Sequence, residues 1–246
     1  MYAHLQSILQ IMSQSKVPHP KTFLSAERLE RIRGYFSHEN RTPDRDVLVL
    51  TPEQTTGPFF PAQLIAPGDD DLARRSPGGP APQGQPIIVT GRITDIQGRP
   101  IPGALIEAWQ ANVHGKYDHP ADITSNPLDP HFKGYGRILT NSQGEYRFTS
   151  IKPGAYPNPG YDEWFRPPHI HFSIFGAGVM QRLITQMYFP DEPLNEIDPI
   201  LNGIEDLAAR ASLIALRESD APDGSWCYRF DLRMRGEGET QFFVER

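Results

Sequence analysis

Arg166-Pro167-Pro168-His169-Ile170-His171-Phe172-Ser173-Ile174-Phe175 is the stretch from which the rest of the chain is read. Two prolines fix an extended entry, because the pyrrolidine ring sets φ and the residue before a proline is biased away from helix. The β-branched and aromatic run that follows has the composition of a strand. Residues two apart on a strand project from one face, so His169 and His171 stand side by side. Imidazole is the commonest metal-ligating side chain, and H-x-H on a strand is half of a metal site. The competing reading is a pair of half-buried histidines satisfied by hydrogen bonds.

Working outward, the neighbouring segments also read as strands. Ile87–Thr94 is followed by the turn Asp95–Pro100 and a returning strand, Ala104–Gln110. Arg137–Thr140, the turn Asn141-Ser142-Gln143-Gly144 and Glu145–Thr149 form a second hairpin. His169–Phe175 pairs with Arg182–Phe189, and Trp226–Met234 and Thr240–Val244 close the set. Asp206–Leu216 is a short amphipathic helix. No βαβ rhythm is present, so the expected fold is mainly β: an antiparallel or mixed β-sandwich with long loops. Residues 46–246 make this domain. Residues 1–45 make a short helical N-terminal arm, with Leu5, Ile8, Leu9 and Met12 at helical spacing and Ser25 capping a second helix that stops at Gly34. The segment from Ala66 to Gln85 has no periodicity and reads as a surface connection.

Composition narrows the function. The 246 residues suffice for a sizeable core. With 25 prolines and 21 glycines the chain suits short strands joined by tight turns. The net charge of −6 and the lack of a basic run argue against a nucleic-acid partner. No apolar stretch approaches the ~18 residues of a membrane span, and Met1–Ser13 lacks the parts of a signal peptide. A single cysteine, Cys227, excludes an internal disulfide and a thiolate cluster. A cytoplasmic protein is expected, with any metal held by nitrogen and oxygen.

Two loops at strand ends carry tyrosines: Gly115-Lys116-Tyr117-Asp118-His119-Pro120, and Pro153-Gly154-Ala155-Tyr156-Pro157. Sites gather in such positions on rigid scaffolds. The plainer reading of Tyr156 is a corner tyrosine bonded to backbone. The remaining histidines (His4, His19, His38, His114, His119 and His131) fall in loops or the arm.

The phrases G-K-Y-D-H-P (115–120), S-Q-G-E-Y-R-F-T-S-I-K-P-G-A-Y-P (142–157), W-F-R-P-P-H-I-H (164–171) and L-I-T-Q-M-Y-F (183–189) together resemble the intradiol ring-cleaving dioxygenases, over roughly residues 50–190. Within that family the likeness is to iron-bearing β subunits acting on protocatechuate. The resemblance implies one non-haem Fe(III) per chain, held by Tyr117, Tyr156, His169 and His171. It implies Arg166 and Gln186 on the substrate side, and Gly57, Pro58 and Asn158 in substrate binding. It implies a small aromatic diol and O2 as partners in a reaction that breaks the ring between its hydroxylated carbons. Protocatechuate is the first choice of substrate, with gallate, hydroxyquinol or a substituted catechol as others. Assembly would be as a homo-oligomer, or as a hetero-oligomer with an iron-free homologous subunit.

Chemistry agrees with that donor set. Tyrosine ionises near pH 10 in water, and a trivalent cation holds it as phenolate. Two hard anionic oxygens favour Fe(III) over Fe(II). They are poor partners for zinc, and no general-base carboxylate lies near the H-x-H. Arg166 is either a cation beside the ring or an exposed ion pair. Asn158 and Phe165 stand where many such β subunits carry tryptophan, which bears on the ring substituent. A non-catalytic, transthyretin-like sandwich is the alternative to an enzyme.

Overall fold

The computed structural model describes residues 66–157, 164–175, 182–234 and 238–243. The arm expected over 1–45, the loop holding Gly57 and Pro58, and Asn158 lie outside them. The described residues hold eleven strands: β1 (Pro86–Thr94), β2 (Leu105–Trp109), β3 (Tyr135–Leu139), β4 (Glu145–Ile151), β5 (Tyr156–Pro157), β6 (Phe165–Arg166), β7 (His169–Phe175), β8 (Leu183–Tyr188), β9 (Leu216–Arg217), β10 (Trp226–Arg229) and β11 (Leu232–Arg233). A 3-10 turn (Pro193–Glu196) and two short helices, α1 (Pro199–Asn202) and α2 (Leu207–Ala211), follow β8. The expected mainly β architecture is observed.

Two sheets carry the core between them. In one, β1 pairs antiparallel with β4 and parallel with β10 and, further along, with β11, while β9 pairs with β10. The other has the order β3-β2-β7-β8, antiparallel throughout. Alternation along β1 turns Ile87, Val89 and Ile93 inward and leaves Thr90 and Arg92 half-buried. These residues join Phe148, Ile106, Phe172 and Ile174 in one apolar cluster. Burial of each such side chain stabilises the fold by about 1.5–3 kcal/mol before entropy is counted.

The strand pairings differ from the sequence expectation in an instructive way. Neither expected hairpin, 87–110 nor 137–149, is a ladder. The chain crosses between the sheets at each of those turns, because β1 and β4 pair with each other and β2 and β3 pair with each other. Turn chemistry says that a chain reverses, not which sheet the next strand joins. The strand expected over Trp226–Met234 is broken between β10 and β11: the Arg92 amide donates to the Asp231 carboxylate at 3.0 Å, and the Phe230 carbonyl accepts the Tyr146 hydroxyl. The helix expected over 206–216 ends at Ala211, since the chain beyond it pairs with Tyr188 (Tyr188 amide to Leu213 carbonyl 2.8 Å, Ala215 amide to Tyr188 carbonyl 2.9 Å). Residues 240–243 are not a regular strand. The 66–85 connection is no mere surface loop, because its Leu72 is fully buried in the core.

Gly91 shows how tightly the sheets meet. A β-carbon there would overlap the Phe230 carbonyl oxygen and lie 2.6 Å from the Tyr146 hydroxyl. The tyrosine bonded to backbone is Tyr146, within β4: its hydroxyl donates to the Phe230 carbonyl and needs the space that glycine leaves. Gly91→Ala is expected to destabilise the protein by about 1–3 kcal/mol through overpacking, read as a lower urea midpoint. An unchanged midpoint would contradict this packing.

Candidate metal centre

Strand register builds one wall of the site on the outer face of the second sheet. Ile170, Phe172 and Ile174 of β7 point into the core, which turns His169 and His171 to the opposite face. His171 lies opposite Trp109 of β2 and Gln186 of β8, and His169 opposite Tyr188. The Trp109 ring stacks on His171 (centroids 4.9 Å apart, planes at 6°), and Tyr188 lies against His169 (5.7 Å, 26°). Both imidazoles are thus held by aromatic neighbours on adjoining strands.

The two tyrosine loops are locked to each other through backbone. Gly115 has φ +71° and no room for a β-carbon against the Ala155 carbonyl. Gly154 is equally confined against the Val113 carbonyl. The Asn112 carbonyl accepts from both glycine amides, at 3.0 Å (Gly115) and 2.9 Å (Gly154), and its side-chain oxygen accepts from the His114 and Lys116 amides. Asp122 then fixes the turn around Tyr117: its carboxylate accepts from the Tyr117 amide at 2.8 Å and from the largely buried Lys116 ammonium at 3.1 Å. Tyr156 is placed by β5, where it pairs directly with Arg166 of β6.

These elements bring all four sequence-identified donors together. The Tyr156 hydroxyl is 3.1 Å from His169 Nε2, which is 3.2 Å from His171 Nε2. Tyr117 packs edge-on to Tyr156 (centroids 5.3 Å, planes at 86°) and stands 6.5 Å from the His171 ring. His169 Nδ1 lies 2.6 Å from the Pro167 carbonyl oxygen. That carbonyl only accepts, so the ring proton is assigned to Nδ1 and the lone pair to Nε2.

Burial sets the charge states. It pushes His169 well below the usual histidine range and His171 down to about 3, the Arg166 cation adding to both effects. It pushes Tyr117 well above the usual phenol value, with Tyr156 adding to the rise. Tyr156 rises too, through burial partly offset by Arg166. Without a cation, then, the site holds neutral imidazoles and neutral phenols.

The donor set fits a hard metal ion. Two donors about 2.0–2.1 Å from one ion stand about 3 Å apart when at right angles, the spacing seen here. Among the described residues, no group of three or more His, Cys, Asp or Glu side chains gathers to hold a metal, and the further oxygens beside the imidazole pair are those of the tyrosines. A basin of about 730 Å³ lined from both sheets, by Arg92, Arg147 and Arg229 of one and Arg137 of the other among others, shares no residue with this set.

Arg166 is not the exposed ion pair considered from sequence. It is only 4 % exposed. Its Nε donates to Asp198 Oδ1 at 3.1 Å, and its Nη2 donates to Gln186 Oε1 at 2.6 Å and to the Tyr188 hydroxyl oxygen at 2.9 Å. Burial alone would lower its pKa, but Asp198 more than restores it, so the guanidinium stays charged. Gln186 is therefore tied to Arg166 as well as to its strand. Sequence reasoning missed Asp198, Tyr188 and Trp109. Tyr188 was within reach, two residues beyond Gln186 on one face, whereas Trp109 and Asp198 required the tertiary pairing.

Two outcomes follow, the first for the metal-free protein. Below pH ~6.5 an unfolded histidine binds a proton that folded His171 refuses until about pH 3. Stability must therefore fall as pH drops through this window, by about 1.4 kcal/mol per pH unit for each such group. Urea midpoints measured from pH 7 to pH 5 should decrease, and a flat or rising series would contradict neutral burial. Gly154→Ala should pry the tyrosine loops apart and cut metal content at least several-fold while far-UV circular dichroism stays unchanged. Full metal content in that variant would contradict the interlock.

The family described as Dioxygenase matches residues 55–236. The chain is 41% identical over 210 residues to a protocatechuate 3,4-dioxygenase beta chain from Burkholderia cepacia, covering 84% of this chain and 89% of that one. It is 35% identical over 206 residues to a protocatechuate 3,4-dioxygenase alpha chain from Pseudomonas putida, covering 80% and 98%. Among solved structures it is similar to the dioxygenase domain of a carbohydrate-binding fusion protein from Streptomyces sp. SirexAA-E, with TM-score 0.54 and 27% identity over 78% of this chain and 99% of that one. Intradiol dioxygenases are non-haem iron enzymes, so the reading as a non-catalytic module falls away. The fold, the gathered donors and these likenesses lead to one conclusion: the chain belongs to the intradiol ring-cleaving dioxygenases.

Proposed function

We propose that this chain binds one non-haem Fe(III) and uses O2 to open a catechol-type ring between its two hydroxylated carbons, with protocatechuate as substrate and 3-carboxy-cis,cis-muconate as product. The observation that carries the reading is the meeting of two neutral imidazoles and a tyrosine hydroxyl, His169 Nε2 standing 3.1 Å from the Tyr156 hydroxyl and 3.2 Å from His171 Nε2, with a second tyrosine packed on the first. The 41% identity to a protocatechuate 3,4-dioxygenase beta chain favours this ring substituent over others.

Tyr117, Tyr156, His169 and His171 would hold the metal, the tyrosines as phenolates. Fe(III) there supplies a Lewis acid that draws electron density from a chelated diol and makes its ring reactive toward O2. The protein's own groups do the rest. The Tyr156 oxygen takes one diol proton as substrate enters. Arg166 presents a fixed positive charge beside the ring, worth most where water is excluded. Gln186, held by Arg166 Nη2, offers its amide N–H to oxygen-derived atoms on the same side. Gly57, Pro58 and Asn158, outside the described residues, are assigned to substrate binding by the family likeness. The chain works in the cytoplasm, and assembles with copies of itself or with a homologous subunit. Separate alpha and beta chains among its relatives support an assembly.

An oxygen electrode, with protocatechuate, catechol, gallate and hydroxyquinol supplied in turn, tests this directly. The purified protein should be reddish-brown, consume one O2 per protocatechuate and yield a colourless muconate. Tyr117→Phe should lose most of the colour and at least ~100-fold in turnover. Yellow semialdehyde products, or a colourless iron-free protein after iron-supplemented expression, would contradict the proposal.

A further inference from the structure

Asp198 is completely buried, and nothing in the proposed iron chemistry uses it. It lies at the N-cap of α1, outside both sheets, where its carboxylate accepts from the Leu201 amide at 3.3 Å. The same carboxylate reaches across to the site: Oδ1 accepts from Arg166 Nε at 3.1 Å, and Oδ2 stands 3.0 Å from the Tyr188 hydroxyl and 3.5 Å from Arg166 Nη2. Tyr188 in turn is 2.8 Å from Gln186 Oε1, accepts from Arg166 Nη2 at 2.9 Å and packs its ring on His169.

A guanidinium is planar, so fixing two of its nitrogens fixes the direction of the third. Here Nε is tied to Asp198, and Nη2 to Gln186 and Tyr188. None of these bonds uses Nη1. The plane of Arg166 is therefore set from the protein side, and Nη1 is left on the opposite edge. A buried arginine without its carboxylate would carry an uncompensated charge and would turn toward other oxygens.

We propose that Asp198, assisted by Tyr188, is the positioning residue that orients Arg166, so that Nη1 is the nitrogen that meets the anionic oxygen of a bound diol. This rests on the reading of Arg166 as the cation of the substrate side. Asp198 touches neither substrate nor metal and acts only through the guanidinium. The α1 turn, which belongs to none of the site motifs, is thereby part of the catalytic apparatus.

The test is a double-mutant cycle on the iron-loaded protein. Asp198→Asn keeps the volume and, since asparagine is a good N-cap, the bond to Leu201. Tyr188→Phe removes the hydroxyl and keeps the ring on His169. Each is paired with Arg166→Ala, and iron content, visible spectrum, oxygen uptake and anaerobic binding of protocatechuate are measured. Asp198→Asn should lower kcat/KM about 10- to 100-fold, the range for partners that act behind a functional group, and Tyr188→Phe by less. Iron content and resting colour should stay at wild-type levels, and anaerobic binding of protocatechuate should weaken. In the Arg166→Ala background, Asp198→Asn should add no further loss. Wild-type kcat/KM in Asp198→Asn, the same loss with and without Arg166, or loss of iron would overturn the positioning role. If Arg166→Ala were itself fully active, the reading of Arg166 would fall, and the positioning role with it. An inactive Arg166→Ala beside an active Asp198→Asn would sink only the inference drawn here.

Discussion

The contact on which the site depends is small: the Pro167 carbonyl oxygen, 2.6 Å from His169 Nδ1. It holds the ring proton on the far side, leaving the Nε2 lone pair to face Tyr156 and His171. The proline pair that makes the strand entry extended also supplies that carbonyl. A residue chosen for its backbone geometry thus decides the tautomer of its neighbour's side chain. Were the proton on Nε2, the three atoms that meet there would be a hydrogen-bonded cluster with no donor set for a metal. Burial reinforces the assignment by keeping both imidazoles neutral.

Around that contact, rigidity comes from pieces that do not touch one another in sequence. Strands β2 and β8 flank β7 and place Trp109, Gln186 and Tyr188 opposite the histidines. Two loops interlock through glycines with no room for a side chain. Charged groups are buried in compensated sets: Lys116 with Asp122, Arg166 with Asp198, and Glu107 with Arg137 and Arg182. Buried ion pairs contribute little net stability compared with apolar packing. What they supply here is direction, since each fixes a side chain or loop that would otherwise sample several orientations.

The legible part of this structure was local. The H-x-H pair could be read because a strand has a period of two, and the tyrosine loops because glycine and proline mark turns at strand ends. The ligand set itself came from a family likeness carried by four short phrases. Sheet membership was not legible. The turns after β1 and β3 look like hairpin turns, yet each carries the chain to the opposite sheet, and β1 finds its parallel partners about 140 residues away. Leu72 gave no signal because one apolar residue in a polar, aperiodic segment has no pattern to report. Asp198 gave none because its meaning lies in a carboxylate meeting a guanidinium 32 residues earlier in the chain. Its only local role, capping a four-residue helix, says nothing of chemistry.

The central claim is that one iron ion is held by two phenolate oxygens and two ring nitrogens on this sheet face. Anomalous diffraction at the iron absorption edge, from crystals of the purified protein, tests it without reference to turnover. The account predicts a single strong peak per chain, about 2 Å from Tyr117 Oη, Tyr156 Oη, His169 Nε2 and His171 Nε2 alike. A peak bound elsewhere, or one that excludes either tyrosine oxygen in the resting protein, would contradict it.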